Sequence, residues 1–570
     1  MFLPTTREEM KERGWESLDI ILVTGDTYID SPHIGVAVIG NVLAGAGYRV
    51  GIIAQPAVND GRDIMRLGEP RLFWGITAGS VDSMVANYTA LKKKRRSDDF
   101  TPGGKNTRRP DRATIVYSNL IRRYFKNTVP LVLGGIEASL RRIAHYDYWD
   151  DAVRRSLLFD AKADILVYGM GEKAVLEIAR RRERGEDIRD IRGLCYSAKE
   201  PNEEYLLLPP YEEVKNDTAK FAEMFRLFYE NNDPLTARGV CQRQDTRYLV
   251  QNPPAEGLSP EELDEVHALP FERKVHPYYG RQGEVRALDT ITFSLTTHRG
   301  CYGECNFCAI AVHQGRTVRS RSIASLVREA EALTRHPRFK GYIADVGGPT
   351  ANMYGIECER KLKQGSCRNR RCLYPLKCPH LKVNHARQRD LLRALRNIAG
   401  VKRVFIASGI RYDMVLEDTA CGMAYLRDVV EHHISGQLKI APEHTEDSVL
   451  KRMGKPGRKY VQAFKEAFDA LNKKMGKKQF LTYYLLVAHP GCDMQAMEKL
   501  RAFTSRELKI SPEQVQIFTP LPATYSTLMY YTGQDPFTGE RLFVERDAGK
   551  KEHQKERVAA AGLQRRARSL

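Results

Sequence analysis

Short apolar runs alternate with helical patterns along the first third of the chain. The runs fall at residues 19–24, 50–54, 72–77, 130–133 and 164–168. After the first of them, Ile34, Val38 and Val42 share a helical face with Ile39 and Leu43, and the pattern stops at Gly45 and Gly47. Continuous apolar strands separated by helices predict a parallel sheet covered on both faces. The expectation is an α/β fold that opens with a doubly wound domain over residues 1–195. Over 196–288 the periodicity fades among Pro209-Pro210, Pro253-Pro254 and polar runs around a helical stretch near 221–229, which reads as a connector. A second series of strands is expected at 291–296, 341–346, 403–407, 437–440, 481–488 and 514–519. Among the intervening helices, 322–334 carries an apolar stripe of Ile323, Leu326, Val327, Ala330 and Leu333. Six βα units predict a partial TIM-type (β/α)6 barrel over 289–534, with its site at the C-terminal ends of the strands, followed by a basic tail over 535–570.

A chain of 570 residues exceeds one core, in keeping with two large domains. The first nineteen residues mix charges of both signs, and no later apolar run reaches membrane-spanning length. The expectation is a soluble, cytoplasmic protein with no membrane partner. A formal net charge of +19 raises nucleic acid as a partner. Two runs concentrate it: Lys92 to Arg96 with Arg108, Arg109 and Arg112, and the tail segment Arg565-Arg566-Ala567-Arg568. The competing reading of each is a solvated loop and a frayed terminus.

The eleven cysteines are bunched, which in a reducing compartment points to metal ligation rather than disulfides. Directly after the first barrel strand stands His298-Arg299-Gly300-Cys301-Tyr302-Gly303-Glu304-Cys305-Asn306-Phe307-Cys308. Three thiolates at C-x3-C-x2-C spacing on one loop suit three irons of a cubane, leaving the fourth iron open. The alternatives are three buried thiols or part of a zinc site, although zinc usually takes four protein ligands. A second group, Cys358, Cys367, Cys372 and Cys378, lies with His380 and His385 in a basic insertion over 356–386. It suits zinc or an auxiliary iron–sulfur cluster, or else a set of reduced thiols in a surface loop.

The first motif resembles the signature of the radical S-adenosylmethionine (SAM) superfamily, and the chain from about Phe2 to about Tyr531 resembles the YgiQ-like radical SAM proteins. Further matching segments are Gly134-Gly135-Ile136-Glu137-Ala138-Ser139, Ala407-Ser408-Gly409-Ile410-Arg411-Tyr412-Asp413 and Gly491-Cys492. The resemblance implies a 4Fe–4S cluster on Cys301, Cys305 and Cys308 that chelates SAM and reductively cleaves it to a 5′-deoxyadenosyl radical. It implies an electron donor such as flavodoxin or ferredoxin and leaves the substrate open. Phe307 matches the position beside the adenine, and Gly347 and Gly348 match the segment that meets the SAM amino group, with Pro349 where a Glu is usual. Ser408, Arg411 and Glu443 are candidates for the SAM ribose and carboxylate, or else for loop-stabilising hydrogen bonds. A tRNA- or ribosome-modifying activity is one version of this function. A zinc-containing nucleic-acid-binding module without catalysis is the alternative from another class.

The amino-terminal domain resembles the cobalamin-binding domains that precede many radical SAM barrels. Those carry an Asp-x-His-x-x-Gly loop, whereas here Asp26 and Asp30 are followed by Ser31-Pro32-His33-Ile34-Gly35, out of register. The expectation is a fold of that type that does not bind cobalamin through His33.

Overall fold

In a computed structural model the chain forms two compact units, one of Met1–Gly257 with Glu265–Thr292 and one of Leu258–Asp264 with Phe293–Leu570. Residues 1–368, 370–510, 512 and 514–567 are described, with side chains as far as 559. The basic run 565–568 therefore lies outside the described side chains.

The first unit is built on a nine-stranded sheet. Its strands are β1 (Ile20–Thr24), β2 (Val50–Ala54), β3 (Phe73–Thr77), β4 (Leu131–Gly134), β5 (Ile165–Val167), β6 (Leu194–Ala198), β7 (Leu206–Leu208), β8 (Val240–Gln244) and β9 (Arg247–Gln251). The spatial order is β7-β8-β9-β6-β5-β4-β3-β1-β2. From β2 to β5 neighbouring strands run parallel. Every residue of β1 and β2 is buried, because helices cover both faces. The chain steps outward from β1 to β2 and then crosses to β3 on the other side. Such a reversal opens a crevice at the C-terminal ends of β1 and β3, where doubly wound sheets place ligands.

The stretch read as a connector contributes β7, β8, β9 and most of β6 to this sheet. Its inner face is polar, which hid the strand periodicity. Gln242, Gln244 and Gln251 are buried, and their amide oxygens accept hydrogen bonds from Ala144 N, Ser156 N and Arg142 Nε at 2.9–3.0 Å.

The basic run near residue 100 is partly consumed inside this unit. Arg109 is buried against Asp26 and Asp98 at 2.6 and 3.2 Å, and Arg112 pairs with Asp147 and Asp150. Lys93, Lys94, Arg95 and Arg96 stay exposed.

The second unit carries parallel strands in chain order, as in a partial (β/α)6 barrel. Ser294–Thr296 pairs with Asp345–Gly347, Tyr342–Ile343 with Arg403–Val404, and Gln437–Glu443 with Phe480–Val487, which pairs in turn with Gln514–Ile517. A parallel bridge from Ile410 to Ile440 joins the third position to the fourth. Leu326, Leu333, Val346, Ile406, Leu438, Phe464 and Phe468 fill the space between strands and helices. The helix Ile323–Thr334 begins where Ser322 Oγ accepts the Ser325 N–H at 3.0 Å.

Two expectations are corrected. The first barrel strand starts at Ser294, because 287–291 are helical and Thr292 Oγ1 bonds back to Leu288 O at 2.6 Å. The segment read as a basic tail contains the helix Ala548–Ala567. Its Gln554 is buried, accepting from Ala488 N at 3.0 Å and donating to Cys492 O at 3.2 Å. Among the described residues no helix is long and apolar enough to cross a membrane.

Candidate active site

The three-cysteine loop leaves the first barrel strand through a two-stranded clasp in which His298 faces Ser320 and Arg299 faces Arg319. Gly300 opens the loop at φ 81°, and a Cβ there would lie 2.2 Å from Thr317 O, so only glycine lets the clasp close. Cys301 N donates to Gly315 O at 3.2 Å and Cys308 N to Cys305 O at 3.0 Å. Gly303 N donates to Cys301 Sγ at 3.3 Å. A Cβ on Gly303 would stand 3.3 Å from Cys301 Sγ and 3.6 Å from Cys305 Sγ. The three thiols are free and half-buried. Burial pushes the Cys301 thiol up and the Cys308 thiol up to about 12, and the Cys305 sulfur adds to both through repulsion between like charges. A polycationic partner relieves that cost.

Neighbouring segments hold the loop. Asn306 N donates to Met453 O at 2.9 Å, Asn306 Nδ2 to Arg452 O at 2.7 Å, and Ser526 N to Asn306 O at 2.9 Å. Glu304, at φ 42°, pairs with Arg316 at 3.2 Å and lies 3.8 Å from the buried Lys361 ammonium.

The other expected residues gather at the strand ends around this loop. Gly347 and Gly348 lie where side chains would collide: a Cβ would meet Ser408 Oγ at 2.9 Å and the His298 ring at 2.6 Å, respectively. The Ser408 hydroxyl is already committed to the Asp345 carboxylate, which also accepts from Ala407 N and Ser408 N at 2.8 and 3.0 Å. Arg411 is gripped in bidentate fashion by Asp413 at 2.8 and 2.6 Å, which leaves Nη1 to donate to Cys305 Sγ at 3.7 Å. Burial alone would lower the Arg411 pKa, but Asp413 holds it above its ordinary value, so the charge persists. Glu443 ends its strand at φ 69°, and burial raises its carboxyl to about 7 against the pull of Lys455 and Arg411. A left-handed conformation at a non-glycine residue marks a strained position of the kind found at ligand sites. The Phe307 ring packs edge-on to His489 at 6.4 Å.

Sequence reasoning missed Asp345, Asp413, Thr350 and Lys455. Thr350 Oγ1 lies 3.6 Å from Cys301 Sγ, and Lys455 Nζ donates to Ala441 O at 2.5 Å. Asp345 and Asp413 did carry a signal, since each stands within two residues of a residue already singled out, Gly347 or Arg411.

The second cysteine group packs against the cluster loop. Cys358, Cys372 and Cys378 are buried in a small core with Tyr302, Val318, Met353, Ile356 and Leu381. Cys358 N donates to Tyr302 Oη at 3.1 Å, so the insertion braces the cluster loop from behind. His380 is exposed, and His385 is taken up by Asp418 at 2.7 Å, by Asn352 at 3.1 Å and by stacking on Tyr425. Among the described residues no three or more His, Cys, Asp or Glu side chains are placed to hold a single ion. A cubane asks for a different arrangement, one thiolate on each of three irons.

A three-thiol loop at the C-terminal mouth of a parallel αβ barrel that follows a doubly wound unit in the chain defines a class of iron–sulfur enzyme. A family model described as radical SAM N-terminal matches residues 2–294, and one for the radical SAM superfamily matches 295–504. A UPF0313 protein of Fusobacterium nucleatum is 58% identical over 558 residues, covering 98% of both chains. A UPF0313 protein of Thermotoga maritima is 52% identical over 561 residues, again covering 98% of both. Among solved structures, the radical SAM methyltransferase TsrM from Kitasatospora setae, with cobalamin and a 4Fe–4S cluster bound, aligns with a TM-score of 0.51 at 15% identity. That alignment covers 90% of this chain and 77% of TsrM, and it shows a shared fold. The chain belongs to the radical SAM superfamily, within the UPF0313 family, and is a radical SAM enzyme.

Proposed function

We propose that Cys301, Cys305 and Cys308 hold a 4Fe–4S cluster with SAM on its open iron. The observation that carries this reading is the convergence of three free thiols on one clasped loop, with the Arg411 guanidinium 3.7 Å from Cys305 Sγ. Reduced by a donor of the flavodoxin or ferredoxin type, such a cluster supplies the electron that splits SAM into methionine and a 5′-deoxyadenosyl radical, here acting on a C–H bond of the substrate. The cytoplasm, a reducing compartment, suits a chain whose eleven cysteines are all free.

The chain's own groups divide the remaining work. Arg411, oriented by Asp413, offsets the negative charge of the thiolates from one side. Gly347 and Gly348 let backbone carbonyls reach the SAM amino group, a contact Pro349 cannot make through a side chain. The Ser408 hydroxyl serves Asp345, so Ser408 would meet SAM through its backbone. Glu443 is placed to accept a ribose hydroxyl, and Phe307 to flank the adenine. Together these groups position SAM and exclude water from the radical.

Anaerobic reconstitution tests the reading. About four irons and four sulfides per chain are expected, with 5′-deoxyadenosine formed on addition of SAM and dithionite. A colourless, zinc-loaded protein that forms no deoxyadenosine would overturn it.

The proposed function does not use cobalamin, since polar groups at the C-terminal ends of the first unit's strands are engaged with one another. Beyond β1, Gln55 Nε2 donates to Gly25 O at 2.9 Å and Thr101 Oγ1 at 2.7 Å, and Arg109 lies between Asp26 and Asp98. A Cβ on Gly79 would sit 2.2 Å from the Asp26 carboxylate, and one on Gly135 2.4 Å from Thr77 Oγ1. His33 lies in a separate loop, where its Nδ1 and the Ser31 hydroxyl are 3.3 Å apart. Glu137 is also engaged, accepting from Ser83 N at 2.8 Å and Thr114 N at 3.3 Å. The expected result of mixing the chain with hydroxocobalamin and desalting is no retained cobalt. Stoichiometric retention that His33→Ala abolishes would contradict this.

A further inference from the structure

A cavity of about 250 Å³ opens beside the barrel mouth, lined among others by Glu446, Ser448, Arg452, Asp493, Lys499 and Arg541. It lies on the side of the active site, since Glu446 and Asp493 stand on the loops that follow the strands Gln437–Glu443 and Phe480–Val487. It is also tied to the cluster loop. Asn306, between Cys305 and Phe307, donates to Arg452 O at 2.7 Å.

The two carboxylates in the wall are engaged. Asp493 accepts from Ala496 N at 2.8 Å, capping its helix. Glu446 lies 3.4 Å from Lys499 and 3.8 Å from Arg458. The two arginines have no carboxylate partner among the described residues. Arg452 Nη1 donates to Ser448 O at 3.0 Å, while its Nε is shielded from solvent and has no hydrogen-bond partner there.

Arg452 is held in place. Gly491, at φ 83°, lies flat against it, and a Cβ there would meet Arg452 Cδ at 2.6 Å. Gly491 N in turn donates to Phe543 O at 2.7 Å, drawing the segment with Arg541 onto the wall. Two guanidinium groups that neither wall carboxylate engages, in a cavity too small for a whole drug-sized ligand, suit one compact oxyanion.

The geometry points to a phosphate site: the substrate of the proposed radical chemistry carries a phosphate or phosphodiester, which this pocket holds while the rest of the molecule reaches the barrel mouth. The assignment rests on the proposed function for the identity of the bound molecule as a substrate. The net charge of +19 acts in the same direction by drawing anions toward the surface.

The test is calorimetric titration of the reconstituted full chain, without SAM, with AMP and separately with a ten-nucleotide single-stranded RNA. Saturable binding of either is expected, weakened about tenfold in Lys499→Gln/Arg541→Gln. The control Lys473→Gln/Lys474→Gln removes the same charge from exposed positions at the C-terminal end of the helix Arg458–Lys474 and should bind as wild type. Binding of AMP weakened by the double substitution would identify a small phosphorylated substrate, and binding of RNA alone, weakened likewise, a nucleic-acid one; binding that the double substitution leaves unchanged would overturn the assignment. No binding of either probe, or an equal loss in the control, would overturn the assignment. Because SAM is absent, failure here leaves SAM cleavage untouched, and failure of SAM cleavage leaves phosphate binding measurable.

Discussion

Cys305→Ala is expected to lose the cluster and to bring 5′-deoxyadenosine formation to background. Three irons need three thiolates, and with two ligands the cluster has no stable seat on this loop. Cys305 is also the sulfur that receives the Arg411 hydrogen bond, so the variant removes the charge that Arg411 is placed to offset. The side chain is only half-buried and has no disulfide partner, so its truncation should leave the fold intact. Iron and sulfide analysis with chromatographic quantitation of deoxyadenosine reads both effects. Cys195→Ala, a buried thiol in the first unit, serves as the control that keeps its iron. Undiminished cleavage by Cys305→Ala would remove this residue from the ligand set.

The second large effect is on stability. Arg109→Met should destabilise the first unit by about 3–5 kcal/mol, because it leaves Asp26 and Asp98 buried without their countercharge. The three side chains are 1%, 1% and 5% exposed, so solvent offers little screening. Burial already holds the Asp26 carboxyl above its ordinary pKa even with Arg109 beside it. A carboxyl whose folded pKa is raised binds its proton more tightly in the folded state. Its contribution is therefore fully present below the unfolded pKa and is lost as pH rises through the folded value. Removing Arg109 raises that folded value further, so the deficit should be largest at neutral pH and shrink in mild acid. The chain's tryptophans, Trp15, Trp74 and Trp149, all lie in the first unit. Denaturant unfolding followed by tryptophan fluorescence at neutral and acidic pH therefore reads this unit. A pH-independent loss would show that packing, not the buried charges, sets the cost.

What could be read beforehand divides along physical lines. Strands buried on both faces announce themselves, because every position must be apolar, and β1 to β5 were legible for that reason. In β8 and β9 buried glutamines replace apolar residues at inward positions, and their partners in 139–156 are distant in sequence. Likewise Ile291 and Thr292 favour a strand by type, but a local bond from Thr292 to Leu288 settles them as a helix end.

The sequence alone determined the αβ architecture, the three-cysteine loop and the superfamily, since these rest on periodicity and on spacing within a dozen residues. The tertiary structure decided which polar groups remain free. It committed Ser408 to Asp345, His385 to Asp418 and Arg109 to Asp26, turned Arg411 toward Cys305 and, among the described residues, left Arg452 without a carboxylate. The reason is that a hydrogen bond or ion pair is made by whichever groups folding brings within about 3 Å, and those partners stand tens of residues apart along the chain in all but the shortest-range cases.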